Sequence, residues 1–277
     1  MKLSAVIVSR NDGYGGNLHG RAISCLRAMI QSFDEVIFVD WASPGITLIE
    51  DIVKYIPETE KLREIVVTKE QAKQFTNNDP DAQPCVEVLG RNIGIRRATG
   101  DIIVSTNIDI IPPRREILDK FIESWYDKND FYTMCKRMVG VKFTEDLNIN
   151  IDKMRAYLEK HMYKMPPKGD ANCFDPWSRV RGCGDFQMAH RDIWNEIKGF
   201  EETFIYRYHS DTQVQAKADY KGHEIKGLYD LPVFHIEHEY NSDADTCKQN
   251  PLPKDNLVTN NKETWGMSDK KFEETIR

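Results

Sequence analysis

The chain reads as a single α/β domain on a mostly parallel, doubly wound central sheet. Three observations predict it. Short apolar, β-branched runs recur through the first half of the chain, and they are continuous rather than alternating, as strands buried on both faces require. Between them lie segments of helical period. Repeated strand-then-helix units can only close by right-handed crossovers into a parallel sheet.

Ser4–Ser9 (SAVIVS) is the first strand, followed by a polar turn carrying Gly13, Gly15 and Gly16. Ile23, Leu26, Met29, Ile30 and Phe33 then keep helical spacing across 18–33. Glu35–Asp40 (EVIFVD) is the second strand, 47–56 a helix, and Glu64–Thr68 (EIVVT) the third strand. The polar stretch 76–84 is a loop by composition. A helix over 86–98 stops near Gly100, and Asp101–Thr106 (DIIVST) is the fourth strand.

The second half is less regular. Pro112 and Pro113 open a helix through Tyr126, since proline suits a first helical turn. A strand over 131–143, a helix over 151–162 and a Pro- and Gly-rich loop over 165–181 containing Trp177 follow. A strand over 185–190, helices over 191–198 and 211–221, and extended segments through His238 complete it. Beyond Glu239 the chain turns polar, which predicts a loosely packed tail over 241–277.

Composition excludes several classes. Among 277 residues, 38 Lys and Arg against 44 Asp and Glu give a net charge of -6, so no basic face for nucleic acid is expected. No window nears 18 uncharged apolar residues, so no membrane span is expected. The N-terminus reads as a buried strand and not a secretory signal. The six cysteines form no Cys-x-x-Cys, which speaks against a structural zinc site; they are expected as thiols in a reducing, cytoplasmic setting.

Ligands of open parallel sheets bind beyond the carboxyl ends of the strands. The first candidates are therefore Ser9, Arg10, Asn11 and Asp12 after strand one, Asp40 and Trp41 after strand two, and Asn107, Ile108 and Asp109 after strand four. The glycine turn is no dinucleotide fingerprint, because Leu18 stands where its last glycine belongs, and no phosphate loop, because no Gly-Lys-Ser/Thr follows. It is either a flexible turn or a loop that closes over a sugar or nucleotide. Alternation along a strand end would place Asn107 and Asp109 on one face, where two oxygen ligands suit Mg²⁺ or Mn²⁺. Arg91 and Arg96 on the preceding helix suit phosphate oxygens. Taken alone, Asn-x-Asp reads as a strand-ending cap for the helix at Pro112.

The neighbouring motifs shift that balance. Asp40, then RNIGIRRATGDIIVSTNID (91–109), then Gly182–Arg191, Gly199-Phe200-Glu201-Glu202, His209-Ser210-Asp211 and a late histidine resemble, in order and spacing, the GT-A fold glycosyltransferases, above all their family 2 group. The resemblance covers roughly 4–240 and implies one domain, with a nucleotide-sugar-binding half over 1–111 and an acceptor-binding, catalytic half over 112–240. It implies that Asp40 contacts the base or ribose, that Arg91 lies near the diphosphate, and that Asn107-Ile108-Asp109 stands at the Asp-x-Asp position with Asp109 as the metal ligand. It implies Asp211 as the base that deprotonates the acceptor. His235 is the favoured late ligand and His238 the alternative, since residues three apart on a strand face opposite ways unless the strand ends between them.

Two departures stand out. Asn107 replaces an acid, so an acid restored there is expected to be tolerated and to tighten metal binding, and Ser210 replaces the usual Glu. Trp177, Gly184 and Asp185 are the expected acceptor-side residues; Trp41, Tyr206 and Tyr208 are further stacking candidates. The implied activity is Mn²⁺- or Mg²⁺-dependent transfer of a sugar, with inversion, from a nucleotide diphosphate sugar, UDP-linked by expectation, to a hydroxyl of a glycan or other acceptor. A catalytically inactive binding module and a nucleotidyltransferase are the alternatives.

Overall fold

In the computed structural model, residues 1–140, 145–165, 167–168, 184–206, 208–239, 248–251 and 261–277 are described. Trp177, Gly182, Cys183 and the expected strand end at 141–143 lie outside them. The four apolar runs form the parallel half of one sheet: β1 (Leu3–Ser9), β2 (Glu35–Trp41), β3 (Leu62–Val67) and β4 (Ile102–Thr106). Strands β1, β2 and β4 are buried throughout, which is why their sequences carry no alternation. The connections are α1 (Leu18–Ser32), α2 (Leu48–Ile52), α3 (Lys69–Phe75) and α4 (Glu87–Arg97). Helix α3 is not apparent from apolar period. It is nucleated by a capping box, in which Thr68 accepts from the Gln71 N–H and the Gln71 side chain accepts from the Thr68 N–H.

The second half inserts antiparallel strands into the same sheet. Beyond β4 come β5 (Ile110–Ile111), α5 (Arg115–Ser124), β6 (Phe131–Val139), α6 (Ile151–His161), β7 (Pro167–Lys168), β8 (Phe186–His190), α7 (Arg191–Glu196), α8 (Ser210–Tyr220), β9 (Ile225–Ile236) and β10 (Glu273–Ile276). The sheet runs β10-β3-β2-β1-β4-β8-β6-β9-β5, with β7 on β6. Strands β1, β2, β3, β4, β6 and β9 share one direction; β8 runs against both β4 and β6. Between β1 and β4 the winding reverses, so the crevice of an open α/β sheet falls at their carboxyl ends.

Successive residues of β1 feed opposite cores. Leu3, Ala5 and Ile7 pack toward α1, while Val6 and Val8 pack toward α4. On α4, Gly90 and Gly94 lie one turn apart over Val8 and Val6. A Cβ would stand 2.6 Å from Val8 Cγ1 at Gly90 and 2.4 Å from Val6 Cγ1 at Gly94, so glycine sets the helix-to-sheet distance.

The tail expected to be loose is docked over residues 261–277. Trp265 is 2% exposed and its ring lies under the Arg96 guanidinium. Arg97 donates to the carbonyls of Gly266, Met267 and Lys270. Strand β10 pairs antiparallel with β3, covering what would be an open sheet edge. No helix among the described residues is long and apolar enough to cross a membrane.

The Gly94 spacing is testable. Gly94→Ala should destabilise the protein by about 1–3 kcal/mol through overpacking, and Val6→Ala in the same chain should recover part of it. Urea unfolding of the two singles and the double measures the coupling; additive losses would mean that helix and sheet do not meet there.

Candidate functional site

Strand β4 stops at Thr106, and residues 107–109 form a turn before β5 resumes. The alternation expected through Asp109 therefore ends early, and the side chains of Asn107 and Asp109 enter different clusters. Pairing of β5 with β9 sets Ile110 opposite His235, and the Ile236 N–H donates to the Asp109 carbonyl at 2.9 Å. Register thus carries the late histidines to the turn. Strand β9 ends at Ile236, between His235 and His238, so the condition under which both can converge is met.

Asp109, His235 and His238 each offer a ligand atom within 4.8 Å of the others. His238 Nε2 lies 3.2 Å from Asp109 Oδ2, and His235 Nε2 lies 3.6 Å from Oδ1. Asp109 is 4% exposed, and its Oδ1 has no hydrogen-bond donor among the described residues. Burial alone would raise the Asp109 pKa. The His238 hydrogen bond and the charges of His235, His238 and Arg21 outweigh it, and the carboxyl titrates below its usual range. A carboxylate oxygen without a donor beside two imidazoles is a fitting donor set for a divalent cation.

Asn107 belongs to a second cluster. Its Oδ1 accepts from Arg91 Nη2, and its Nδ2 donates to Asp185 Oδ1 at 2.9 Å. Asp185 also pairs with Lys136 of β6. Arg91 is held further by Ser105 Oγ at 2.8 Å, by Glu87 at 2.9 Å and by the Phe200 ring beneath it. An amide can donate to one neighbour and accept from the other; a carboxylate cannot donate to Asp185. The geometry thus gives the Asn-for-acid departure a physical reason, on which an acid at this position is expected to be unwelcome.

Asp211 stands in the first turn of α8, which begins at Ser210 with His209 as its N-cap residue, so Asp211 does not cap the helix. Tyr208 and His209 are both left-handed, at φ 65° and 66°, a conformation non-glycine residues adopt at a cost of about 1–3 kcal/mol each. The carboxyl group of Asp211 rests against Gly184, where a Cβ would fall 1.8 Å from Asp211 Cγ. Only glycine admits that approach. Burial raises the Asp211 pKa, Arg91 and Lys136 pull against it, Glu87 adds to it, and the net shift is upward.

The other expected residues are clasped together. Asp40 is buried and accepts from the Ser43 N–H, from Ser43 Oγ at 2.7 Å and from the Leu48 N–H. The Asn11 N–H donates to Ser43 Oγ, and Asp12 pairs with Arg10. Asp40 therefore shapes the loops after β1 and β2. Trp41 lies in the core with its ring against Phe75, and lines a hollow of about 230 Å³ with Arg10, Lys69 and Gln83. Ser9 and Ile108 are buried, and Ile108 packs in the core. Tyr206 bonds Asp79, and Tyr208 is exposed. Sequence reasoning missed Arg21 and Lys136. The signal for Arg21 was a charge on the apolar face of α1, between Leu18 and Cys25.

No protein-family model matches the chain. No curated protein matches it in sequence. Solved structures do match it. A 1–349 fragment of S. aureus TarS in complex with UDP-GlcNAc is 17% identical over 87% of this chain, at a TM-score of 0.52. The mannosyltransferase PcManGT of Pyrobaculum calidifontis, in complex with GDP-Man and Mn²⁺, is 15% identical over 88%, also at 0.52. The chain spans 60% and 59% of those two chains. The fold is the GT-A fold of glycosyltransferases.

Replacing Asn107 by Asp should set two carboxylates against each other at the Asp185 contact. We expect Asn107→Asp to lose about 1–3 kcal/mol of stability in urea unfolding and to gain no Mn²⁺ affinity. Asp185→Asn in the same chain restores a donor and should recover part of the loss. A stable, tighter-binding single variant would return Asn107 to the metal group.

Proposed function

We propose that the protein is a metal-dependent, inverting glycosyltransferase that moves a sugar from a nucleotide diphosphate sugar, of the UDP-linked class, to a hydroxyl of a glycan or other acceptor. The observation that carries this reading is the Asp109–His235–His238 group at the winding reversal of a GT-A fold. The bound ligands of the similar structures, UDP-GlcNAc in one and GDP-Man with Mn²⁺ in the other, support the donor class and the metal.

In this reading Asp109, His235 and His238 hold the divalent cation, which when bound supplies positive charge to the departing diphosphate. The base takes the hollow beside Trp41, Arg10 and Lys69, and Asp40 keeps the surrounding loops in shape. Asp211 removes the proton of the acceptor hydroxyl, and the acceptor oxygen attacks the anomeric carbon opposite the leaving diphosphate, inverting it. Gly184 lets the Asp211 carboxylate sit flush with the chain after the 166–183 segment, and Asp185 fixes Asn107 and Lys136 beside it.

Thermal shift against a panel of UDP- and GDP-sugars, with and without Mn²⁺, tests the class. Stabilisation by one nucleotide sugar that a chelator abolishes is the expected outcome; no response to any of them would sink the reading.

Asp211→Asn should bind donor normally and transfer about 10²–10⁴-fold more slowly. A base must be ionised before it accepts a proton, and the Asp211 pKa is raised. The acid limb of kcat/KM should therefore lie above the ordinary carboxylate range, with activity lost as pH falls through it. Near-normal transfer by Asp211→Asn would remove it from the mechanism, and a product of retained configuration would remove inversion.

A further inference from the structure

Arg21 is a guanidinium with no solvent exposure, carried by α1 into the space behind Asp109. Its Nη1 donates to Asp109 Oδ2 at 3.2 Å, its Nε to the Gly16 carbonyl at 3.2 Å, and its Nη2 to the Tyr14 carbonyl. One fork thus joins the acid of the metal group to the glycine loop after β1. The loop also reaches that group directly. The Tyr14 ring is 5.4 Å from the His238 ring, and the Glu239 N–H donates to the Gly15 carbonyl at 3.1 Å.

The three loop glycines differ in a telling way. A Cβ at Gly15 would stand 2.8 Å from both Arg21 Nη2 and His238 Nδ1. At Gly13 and Gly16 it would meet nothing within 4 Å. All three hold positive φ, so conformation explains each of them, but only Gly15 is also a contact.

We propose that Arg21 is the positioning residue of the metal group: it fixes the Asp109 carboxylate through Oδ2, leaves Oδ1 for the cation, and ties that arrangement to the loop at Tyr14–Gly16. The inference rests on the metal reading above. Asp109 Oδ2 meets two groups, Arg21 Nη1 and His238 Nε2. A His238 whose Nε2 ligates a metal has no proton there to donate, so Arg21 becomes the donor that holds the carboxylate. Lysine keeps the charge but, as a point donor, cannot span the carboxylate and two carbonyls with a planar fork.

The test is Mn²⁺ affinity of the whole chain without donor, read by EPR of unbound Mn²⁺ and by calorimetry, with thermal melts to confirm folding. Arg21→Lys conserves charge and should weaken Mn²⁺ by about 10–100-fold, the usual effect of losing an outer-shell partner. Gly15→Ala, which alters no charge, should weaken it comparably by displacing Arg21 and His238. Gly13→Ala carries the same kind of backbone strain with open space around it and should stay within about twofold of the parent, since strain without contact leaves the ligands in place. If Arg21→Lys does not fold, Gly15→Ala alone decides. A folded Arg21→Lys or Gly15→Ala with parental affinity overturns the positioning role while the metal reading stands. A parent chain that binds no Mn²⁺ overturns the metal reading, and this inference with it.

Discussion

A carboxylate withdrawn from water must be met by positive charge and hydrogen-bond donors, or it will not stay ionised. Asp109 is in that position, and much of the structure around it follows. Strand β4 has to stop at Thr106 so that the turn can bring Asp109 to the sheet's carboxyl end. Strand β5 then has to pair with β9, because that register carries His235 to the turn. Helix α1 has to carry an arginine on an otherwise apolar face, because Arg21 supplies the permanent charge. None of these choices is favourable locally: a two-residue strand and a buried guanidinium are weak elements by themselves. They persist because each removes a penalty that another creates.

The same reasoning separates Asn107 from Asp109. Two acids two residues apart at a strand end would need two sets of counter-charges. Here the second set is already committed, since Arg91 is taken up by Glu87 and Ser105 and Lys136 by Asp185. An amide bridges these groups without adding charge. Glycine plays the matching steric part. Gly94 lets α4 approach the sheet, Gly184 lets Asp211 approach the chain, and Gly15 lets the first loop approach Arg21 and His238.

Much of this was legible in the residues, and the limits are physical. The parallel half was readable because strands buried on both faces write themselves as unbroken apolar runs. Asp109 and His235 were singled out by the family resemblance, and the structure brings them together with His238; Asp211 was singled out in the same way and stands in the first turn of α8. What was not readable depended on partners distant in sequence. Strands β5 and β10 are too short to have a period, and they exist because β9 and β3 offer them an edge. The docking of 261–277 turns on one tryptophan against α4 within a polar composition. Helix α3 had a local signal, Thr68 with Gln71, but no apolar stripe to draw attention to it. Arg21 was overlooked because periodicity counts apolar residues and passes over the charge set among them.

The carboxylates of Asp109 and Asp211 are driven in opposite directions. Asp109 is surrounded by Arg21, His235 and His238, and its pKa lies below the usual range. Asp211 has cations at greater remove and a glycine against its carboxyl group, and its pKa lies above that range. Divergent environments for two acids are how a protein assigns different work to the same functional group. An acid held ionised at every working pH is suited to fixed charge, and so to holding a cation. An acid whose pKa is raised is a stronger proton acceptor when ionised, and so is suited to taking a proton from a hydroxyl. The Asp211 carboxyl group lies against Gly184, at the start of the helix that follows the left-handed Tyr208–His209 turn.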